Sequence, residues 1–435
     1  EIEAAINEHP DVRESVVVLH GDGLSDNRIV AHVVLKDQPQ DEGGQAQRLH
    51  QWQEVWDETY RQENPPANPR FNTIGWNSSY TGEPIPEAEM REWASGVTER
   101  ILSLNPRRVL EIGCGTGLVL FQVAAKCELY YGTDVSSHAL RYLEQQFGPG
   151  EFDNVKLLQR TADDLTGFGA EKFDVIVLNS VVQYFPSIDY LVRVLRGITD
   201  VAAPDAAIFL GDTRSLPLLR ALHTDVQLCN APAELTIKDV QSTIEKQMAL
   251  EKELVIDPAF FRALQQVLPG IARAEIQLKR GRHENELTRF RYDVTLHLGK
   301  RELSAANSRR LDWGTDVRTI DDIRDLLSSS KPELLTVNGV PNARLSASLR
   351  RMELLASQPA SMTIGEFRKL QSDTGPGGVD PEDLWALEKE FPYSVEITWS
   401  EAGANDTFDV LLKGHGVHLQ PISEEVRSRR ELNWR

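Results

Sequence analysis

Residues 109–118 read VLEIGCGTGL and hold the densest chemistry in this 435-residue chain. The apolar run Val109-Leu110-Glu111-Ile112 predicts a buried strand. It leads straight into Gly113-Cys114-Gly115-Thr116-Gly117, and an apolar, helix-like stretch follows from Leu118 to Ala125. Glycines at such a point let the backbone turn tightly and let a ligand come close. A helix starting there would aim free N–H groups at that ligand. A dinucleotide fingerprint needs G-x-G-x-x-G. Gly113 and Gly115 fit it, but position 118 is Leu, so a nicotinamide-dependent oxidoreductase fails at the third glycine. The pattern present is E-x-G-x-G-x-G, with Glu111 two residues ahead of the first glycine.

Three further groups fall in order behind this turn. Asp134 closes the strand-like ELYYGTD, 21 residues after Gly113 and ahead of Val135. That is close to the roughly 20-residue spacing of an acid that accepts hydrogen bonds from ribose hydroxyls. Ala162-Asp163-Asp164 follows the strand-like Val155-Lys156-Leu157-Leu158. FDVIVLNSVVQYFPS, residues 173–187, is a long apolar strand ending at Asn179, with Ser180 and Tyr184 just beyond. A strand-end Asp by itself is usually a helix cap; the ordered set is more specific. The set closely resembles the class I S-adenosylmethionine (SAM) methyltransferases. The resemblance implies SAM as cofactor, its methionine end over Glu111 to Gly117. Asp134 would bind the ribose and the acid near Ala162 and Asp163 the adenine amino group. Asn179 would lie beside the reacting methyl. The cofactor contacts implied are Glu111, Gly113, Cys114, Gly115, Gly117, Asp134, Val135, Ala162, Asp163, Asn179, Ser180 and Tyr80.

The elements that position these residues follow from the pattern. Strands are predicted at 108–112, 129–134, 155–159, 173–179 and 206–212, then a pair at 271–279 and 288–298 joined by the polar turn Arg280 to Leu287. Alternating strands and helices with a closing hairpin predict an α/β fold, a Rossmann-like seven-stranded sheet over 106–300. Ahead of it, 48–105 reads as a helical and lid region. A helix from Arg48 to Arg61 carries Trp52, Val55, Trp56 and Tyr60 at helical spacing, a stripe that reads best as core packing. The loop after it holds Phe71, Trp76 and Tyr80 among prolines, which suggests a lid from Asn72 to Pro86. Pro86 opens a helix with Met90, Trp93, Val97 and Ile101 on one face. Residues 37–47 read as a linker. A late strand pair, VEITWS and FDVLLK, belongs to a small α/β appendage over 301–420, divided by the loop 372–381.

Composition narrows the partners. The chain carries 47 basic and 66 acidic residues, a net charge of −19, which argues against nucleic acid or an anionic membrane as main partner. Its three cysteines, Cys114, Cys127 and Cys229, form neither a disulfide framework nor a metal pair, so a cytoplasmic location and no metal are expected. No run reaches 18 apolar residues, and the chain begins at Glu1, as if cut from something longer.

Residues 1–36 read as a helix (Ile2 to Glu8), a strand (Glu14 to His20), a turn (Gly21 to Asn27) and a strand (Ile29 to Leu35), a unit too small to stand alone. EIEAAINEHPDVRESVVV resembles the start of the small C-terminal subdomain of a nonribosomal peptide synthetase adenylation domain, so 1–40 is read as a fragment of it. The subdomain's closing lysine motif is not found, and no adenylation by this chain is expected. GWNSSYTG, NSVVQYFPS and GDTRSLPLLRALHTDVQL resemble the N-methyltransferase domains that interrupt such subdomains. The resemblance implies methylation of the backbone amine of an aminoacyl thioester. Its partners would be a peptidyl carrier protein bearing an aminoacyl-phosphopantetheine and the rest of the adenylation domain. O-, S- or C-methylation and a non-catalytic interaction module remain as alternatives. An α-amine has a pKa near 8, and only its neutral form can attack. Asn179 and Tyr184 are candidates to orient it, His223 to act as base. Arg214 would meet the acyl carbonyl or pair with Asp212, and Tyr80 would cover the sulfonium by a cation–π contact.

Overall fold

The computed structural model describes residues 12–20, 28–35, 42–61, 68–168, 171–299, 308–370, 377–400 and 406–416. Contacts divide the chain into two units, Glu1–Trp52 and Gln53–Arg435. In the first, β1 (Val12–His20) and β2 (Arg28–Leu35) pair antiparallel, from Val12 opposite Leu35 to His20 opposite Arg28. The helix expected from Ile2 to Glu8 and the turn from Gly21 to Asn27 lie outside the described residues. Helix α1 (Glu42–Tyr60) starts inside the expected linker. Glu, Gln and Ala at 42–47 favour helix strongly enough to carry two glycines.

The second unit is built on one sheet. Its strands are β3 (Arg108–Ile112), β4 (Leu129–Asp134), β5 (Val155–Gln159), β6 (Phe173–Asn179), β7 (Ala202–Arg214), β8 (Ile271–Leu278) and β9 (Arg291–Leu298). They lie in the order β8-β9-β7-β6-β3-β4-β5. The five strands from β5 to β7 run parallel and β9 closes antiparallel against both β7 and β8. This is the seven-stranded arrangement expected from the sequence pattern, with a parallel core closed by an antiparallel hairpin. The chain reverses its direction of winding at β3, where β4 lies on one side and β6 on the other. Loops after the strands beside such a reversal form a crevice at their C-terminal ends. The last strand begins later than expected because Asn285 caps a short helix, Glu286–Phe290, sharing reciprocal hydrogen bonds with Thr288.

The sheet does not stop at seven strands. β10 (Ser308–Asp312), β11 (Leu334–Pro341), β12 (Tyr393–Trp399) and β13 (Thr407–Gly414) continue it in the order β10-β11-β13-β12, and Thr398 of β12 pairs with Gln277 of β8. The appendage therefore extends the core sheet. Helices 219–230 and 237–249 share with 343–357 and 364–370 a small core of Leu228, Ile237, Val240, Ile244, Leu355, Ile364 and Phe367. Buried Asp225 accepts hydrogen bonds from Ser348 and Arg351 across this joint.

Helix α2 (Glu87–Ser103) buries the predicted face, Met90, Trp93, Val97 and Ile101, against Val109, Tyr130, Val175, Val177 and Phe209 of the sheet. Their burial contributes roughly 1.5–3 kcal/mol per large apolar side chain.

Candidate active site

The glycine turn is shaped by steric necessity. Gly113 and Gly117 have φ of +76° and +84°. A methyl group at Gly113 would lie 2.3 Å from Val181 Cγ2, and one at Gly117 would lie 2.5 Å from Leu143 Cδ2. The turn does not work as an anion cradle, however. Gly113 and Cys114 both donate to the Thr133 carbonyl, Gly117 donates to Cys114, and Gly115 donates to Asp134 Oδ2 at 2.9 Å. The predicted helix Leu118 to Ala125 shrinks to α3 (Leu120–Val123) and a single 3-10 turn. A phosphate would want those amides. SAM has no phosphate, so a turn that spends its amides internally still fits it.

The acids fit as well. Asp134 is buried and accepts from the amides of Gly115 and Ser136 (2.9 and 2.8 Å), each to a different oxygen. A carboxylate has about four acceptor positions, so both oxygens keep capacity for a ribose diol. Burial pushes Asp134 up to about 6 against these hydrogen bonds, and the Asp57 carboxylate adds to the rise. Glu111 is also buried and accepts the Tyr130 hydroxyl at 2.7 Å. Burial pushes it up to about 8, with the Tyr130 hydroxyl opposing and Asp134 assisting. Two buried carboxyls side by side, each under strain to ionise, suit a ligand that brings hydroxyl and ammonium donors. Cys114 is buried and Val135 half-buried beside them. Ala162 is buried, whereas Asp163 is exposed and accepts the Tyr190 hydroxyl at 2.8 Å.

The end of α1 is the part of the site that the sequence pattern hid. The aromatic stripe read as core packing is only half-buried, and Val55 is 50% exposed. Trp56 stacks on Tyr60 and meets the Tyr184 ring edge-on at 5.2 Å. Tyr60 brings its hydroxyl against Gly115, where a methyl group would lie 3.1 Å from it. Burial raises the Tyr60 hydroxyl well above the usual phenol range, and Asp134 and Tyr184 add to the rise. Asp57 accepts the Ser136 hydroxyl and lies 3.2 Å from His138 Nδ1, in the first turn of helix α4 (Ser137–Gln146). Aromatics four apart on a helix just ahead of a cofactor turn were the available signal.

The segment proposed as a lid is packed in place. Thr116 donates to the Asn72 carbonyl (2.7 Å), Trp76 packs on Trp93, and Ser79 bonds Glu286. Tyr80 has its ring 5.8 Å from the Arg289 guanidinium, and its carbonyl accepts from Asn230. The Tyr80 hydroxyl is buried, with no hydrogen-bond partner among the described residues.

At the ends of β6 and β7 the structure separates two residues expected to pair. Asp212 (φ +67°) sits at a bulge and is fully buried. Its carboxylate takes Arg291 and the Trp93 indole N–H, with Lys279 at 3.5 Å. Burial works against its charge, yet Arg291 and Lys279 hold it below the usual carboxylate range. Arg214 turns instead to Glu253 (2.8 Å) and Glu251 (3.1 Å), so no Asp212–Arg214 bridge forms. Both ends of its guanidinium are engaged, which leaves little for an acyl carbonyl. His223 Nε2 lies 3.5 Å from Glu251. Despite burial, His223 and Arg214 hold Glu251 down to about 2. Asn179 is buried, its Nδ2 on Ser180, while its Oδ1 rests over Gly211 without a donor among the described residues. Ser180 donates to Asp212, and burial raises the Tyr184 hydroxyl above the usual phenol range. Glu251, Glu253 and Arg291 were not anticipated. They come from segments far apart in sequence.

Comparison with known proteins supports the methyltransferase reading. A family profile described as "Methyltransferase domain" matches residues 110–208, and one described as "AMP-binding enzyme C-terminal domain" matches residues 1–70. The chain is 41% identical over 95% of its length to chondramide synthase cmdD of Chondromyces crocatus, of which it covers 11%. It is 37% identical over 79% of its length to a probable non-canonical nonribosomal peptide synthetase, CymA, of Salinispora arenicola, covering 4% of it. With the beauvericin synthetase of Beauveria bassiana identity is 28% over 97% of this chain and 14% of the relative. The chain thus spans about a tenth of the length of such relatives. Among solved structures, the N-methyltransferase NodS of Bradyrhizobium japonicum with S-adenosyl-L-homocysteine aligns at 14% identity and a TM-score of 0.35, over 57% of this chain and 97% of that one.

Proposed function

We propose that this chain, a SAM-dependent methyltransferase joined to an AMP-binding C-terminal fragment in the manner of nonribosomal peptide synthetases, methylates the backbone α-amine of an aminoacyl thioester held on a peptidyl carrier protein. The observation that carries the amine is Asn179. Its buried Oδ1 lacks a donor beside Ser180 and Tyr184; an amine or hydroxyl acceptor would supply one where a thiolate or an enolate carbon would not, and the N-methyltransferase-like strings favour the amine. The carrier and the adenylation partner are supported by the relatives, which are whole synthetases matched along this stretch, and a cytoplasmic setting goes with them.

When bound, SAM supplies a methyl group on a good leaving group, so the protein's task is placement. Glu111 would hold the methionine end of the cofactor and Asp134 its ribose, with Trp56, Asp57 and Tyr60 of α1 closing over them. Asn179 and the Tyr184 hydroxyl orient the acceptor nitrogen so that its lone pair points at the methyl carbon. His223, 3.5 Å from Glu251, stands near this edge as a candidate proton carrier between the methylated amine and solvent. A tethered acceptor gains effective concentration from its arm, so the pocket need not bind a free amino acid tightly.

The test is mass spectrometry of a panel of aminoacyl-loaded carrier proteins incubated with the chain and labelled SAM. The reading expects methyl on the α-nitrogen and poor turnover of free amino acids. Methyl on oxygen, sulfur or carbon would reject it while leaving the methyltransferase fold intact.

A further inference from the structure

Segment 250–257 is laid against the mouth of the site by its backbone. Leu254 N–H donates to the Gln183 carbonyl at 2.7 Å, one residue before Tyr184, and Ile256 N–H donates to the Arg214 carbonyl at 2.9 Å. This brings Glu253 beside the Tyr184 turn, with its carboxylate 2.8 Å from Arg214 and its side chain 25% exposed. Buried Asp212 faces both Arg291 and Lys279, Arg214 faces the carboxylates of Glu251 and Glu253, and Arg291 also acts on Glu253. His223 lies on the Glu251 side. Of these carboxylates Glu253 is the most exposed, and its segment lies against the Tyr184 turn.

We propose that Glu253 is the anionic wall of the acceptor pocket, facing the substrate nitrogen as that nitrogen becomes positively charged. The inference rests on the reading of the acceptor as an amine. In the transfer the nitrogen lone pair forms the new N–C bond as the C–S bond breaks and its electron pair goes to sulfur. Positive charge passes from sulfur to nitrogen, and the N-methylammonium later loses a proton to solvent. A fixed carboxylate near the nitrogen favours this shift of charge, and does so more in the transition state than in the ground state. Arg214 holds the carboxylate in place, so Glu253 acts as a fixed electrostatic partner. The same charge raises the pKa of a bound amine.

Glu253→Gln keeps the shape and the Arg214 hydrogen bond but removes the charge. With an aminoacyl carrier protein as substrate, kcat should fall about tenfold or more, while SAM affinity by calorimetry stays within about twofold. The inflection in the pH–rate profile should move down by roughly half a unit or more, since the amine loses its anionic neighbour. Glu253→Asp should restore part of both. Methyl on nitrogen in the parent chain, with an unchanged rate and inflection in a SAM-binding Glu253→Gln variant, would overturn the assignment of Glu253 alone. Methyl on another atom in the parent chain would overturn the amine reading, and this inference with it.

Discussion

Asp57, near the end of α1, accepts a hydrogen bond from the hydroxyl of Ser136, whose own amide donates to the buried carboxylate of Asp134. One turn of chain thus joins the helix over the site to the acid read as the ribose ligand. Asp57→Asn should weaken SAM binding by about 1 kcal/mol, roughly fivefold, since a charge-assisted bond becomes a neutral one. Calorimetry on the folded variant checks this. Unchanged affinity would mean that α1 does not close the site.

Asp134 should make SAM affinity depend on acid. Its carboxyl is pushed up to about 6 by burial, chiefly, and by Asp57. Ribose hydroxyls donate best to the ionised form, so affinity should decline as pH falls through about 6. Asp134→Ala should cost roughly 1–3 kcal/mol at pH 7.5 and flatten the dependence below it. A parent chain with the same affinity at pH 5.5 and 7.5 would remove Asp134 from the ribose contact.

Glu111 bears on stability with the opposite sign from most carboxylates. Its native pKa of about 8 lies above its ordinary value of 4.5, because burial outweighs the Tyr130 hydrogen bond. Between these values the native state binds more protons than the unfolded chain, so this contribution is full below about 4.5 and is lost as pH rises through 8. Glu111→Gln should therefore melt at a temperature less sensitive to pH between 5 and 8 than the parent chain. Differential scanning fluorimetry without SAM measures it, and parallel pH curves would contradict it.

Tyr184→Phe separates orientation from binding. The hydroxyl is assigned to the acceptor nitrogen, while the ring packs on Trp56. The variant should lose rate, about tenfold, with SAM affinity nearly unchanged. Equal losses in both would make Tyr184 a cofactor contact.

The sheet was legible in the sequence because a parallel strand buried on both faces must be an apolar run. VLEI, ELYYGTD and FDVIVLN could hardly be anything else, and the spacing from Gly113 to Asp134 is set by one βαβ unit. Burial of Trp93 and its neighbours followed from helical periodicity alone. The aromatic stripe of α1 was misjudged because periodicity reports that one face is covered, not what covers it. Trp56 and Tyr60 are covered by Tyr184 and the Gly115 turn of the candidate site. The Asp212–Arg214 pairing failed for a different reason. Alternation would put both residues on one face, but the bulge with positive φ at Asp212 turns its carboxylate inward to Arg291.

The sequence by itself determined the local quantities: strand and helix periods, the glycine turn that only glycine can make, and the acid at a fixed distance behind it. These depend on residues near one another in the chain. The tertiary structure alone decided which charges meet. Arg214 lies 37 residues from Glu251 and Arg291 lies 79 from Asp212. An ion pair is set by distance in space and by burial, and neither is written in the spacing of residues along a chain.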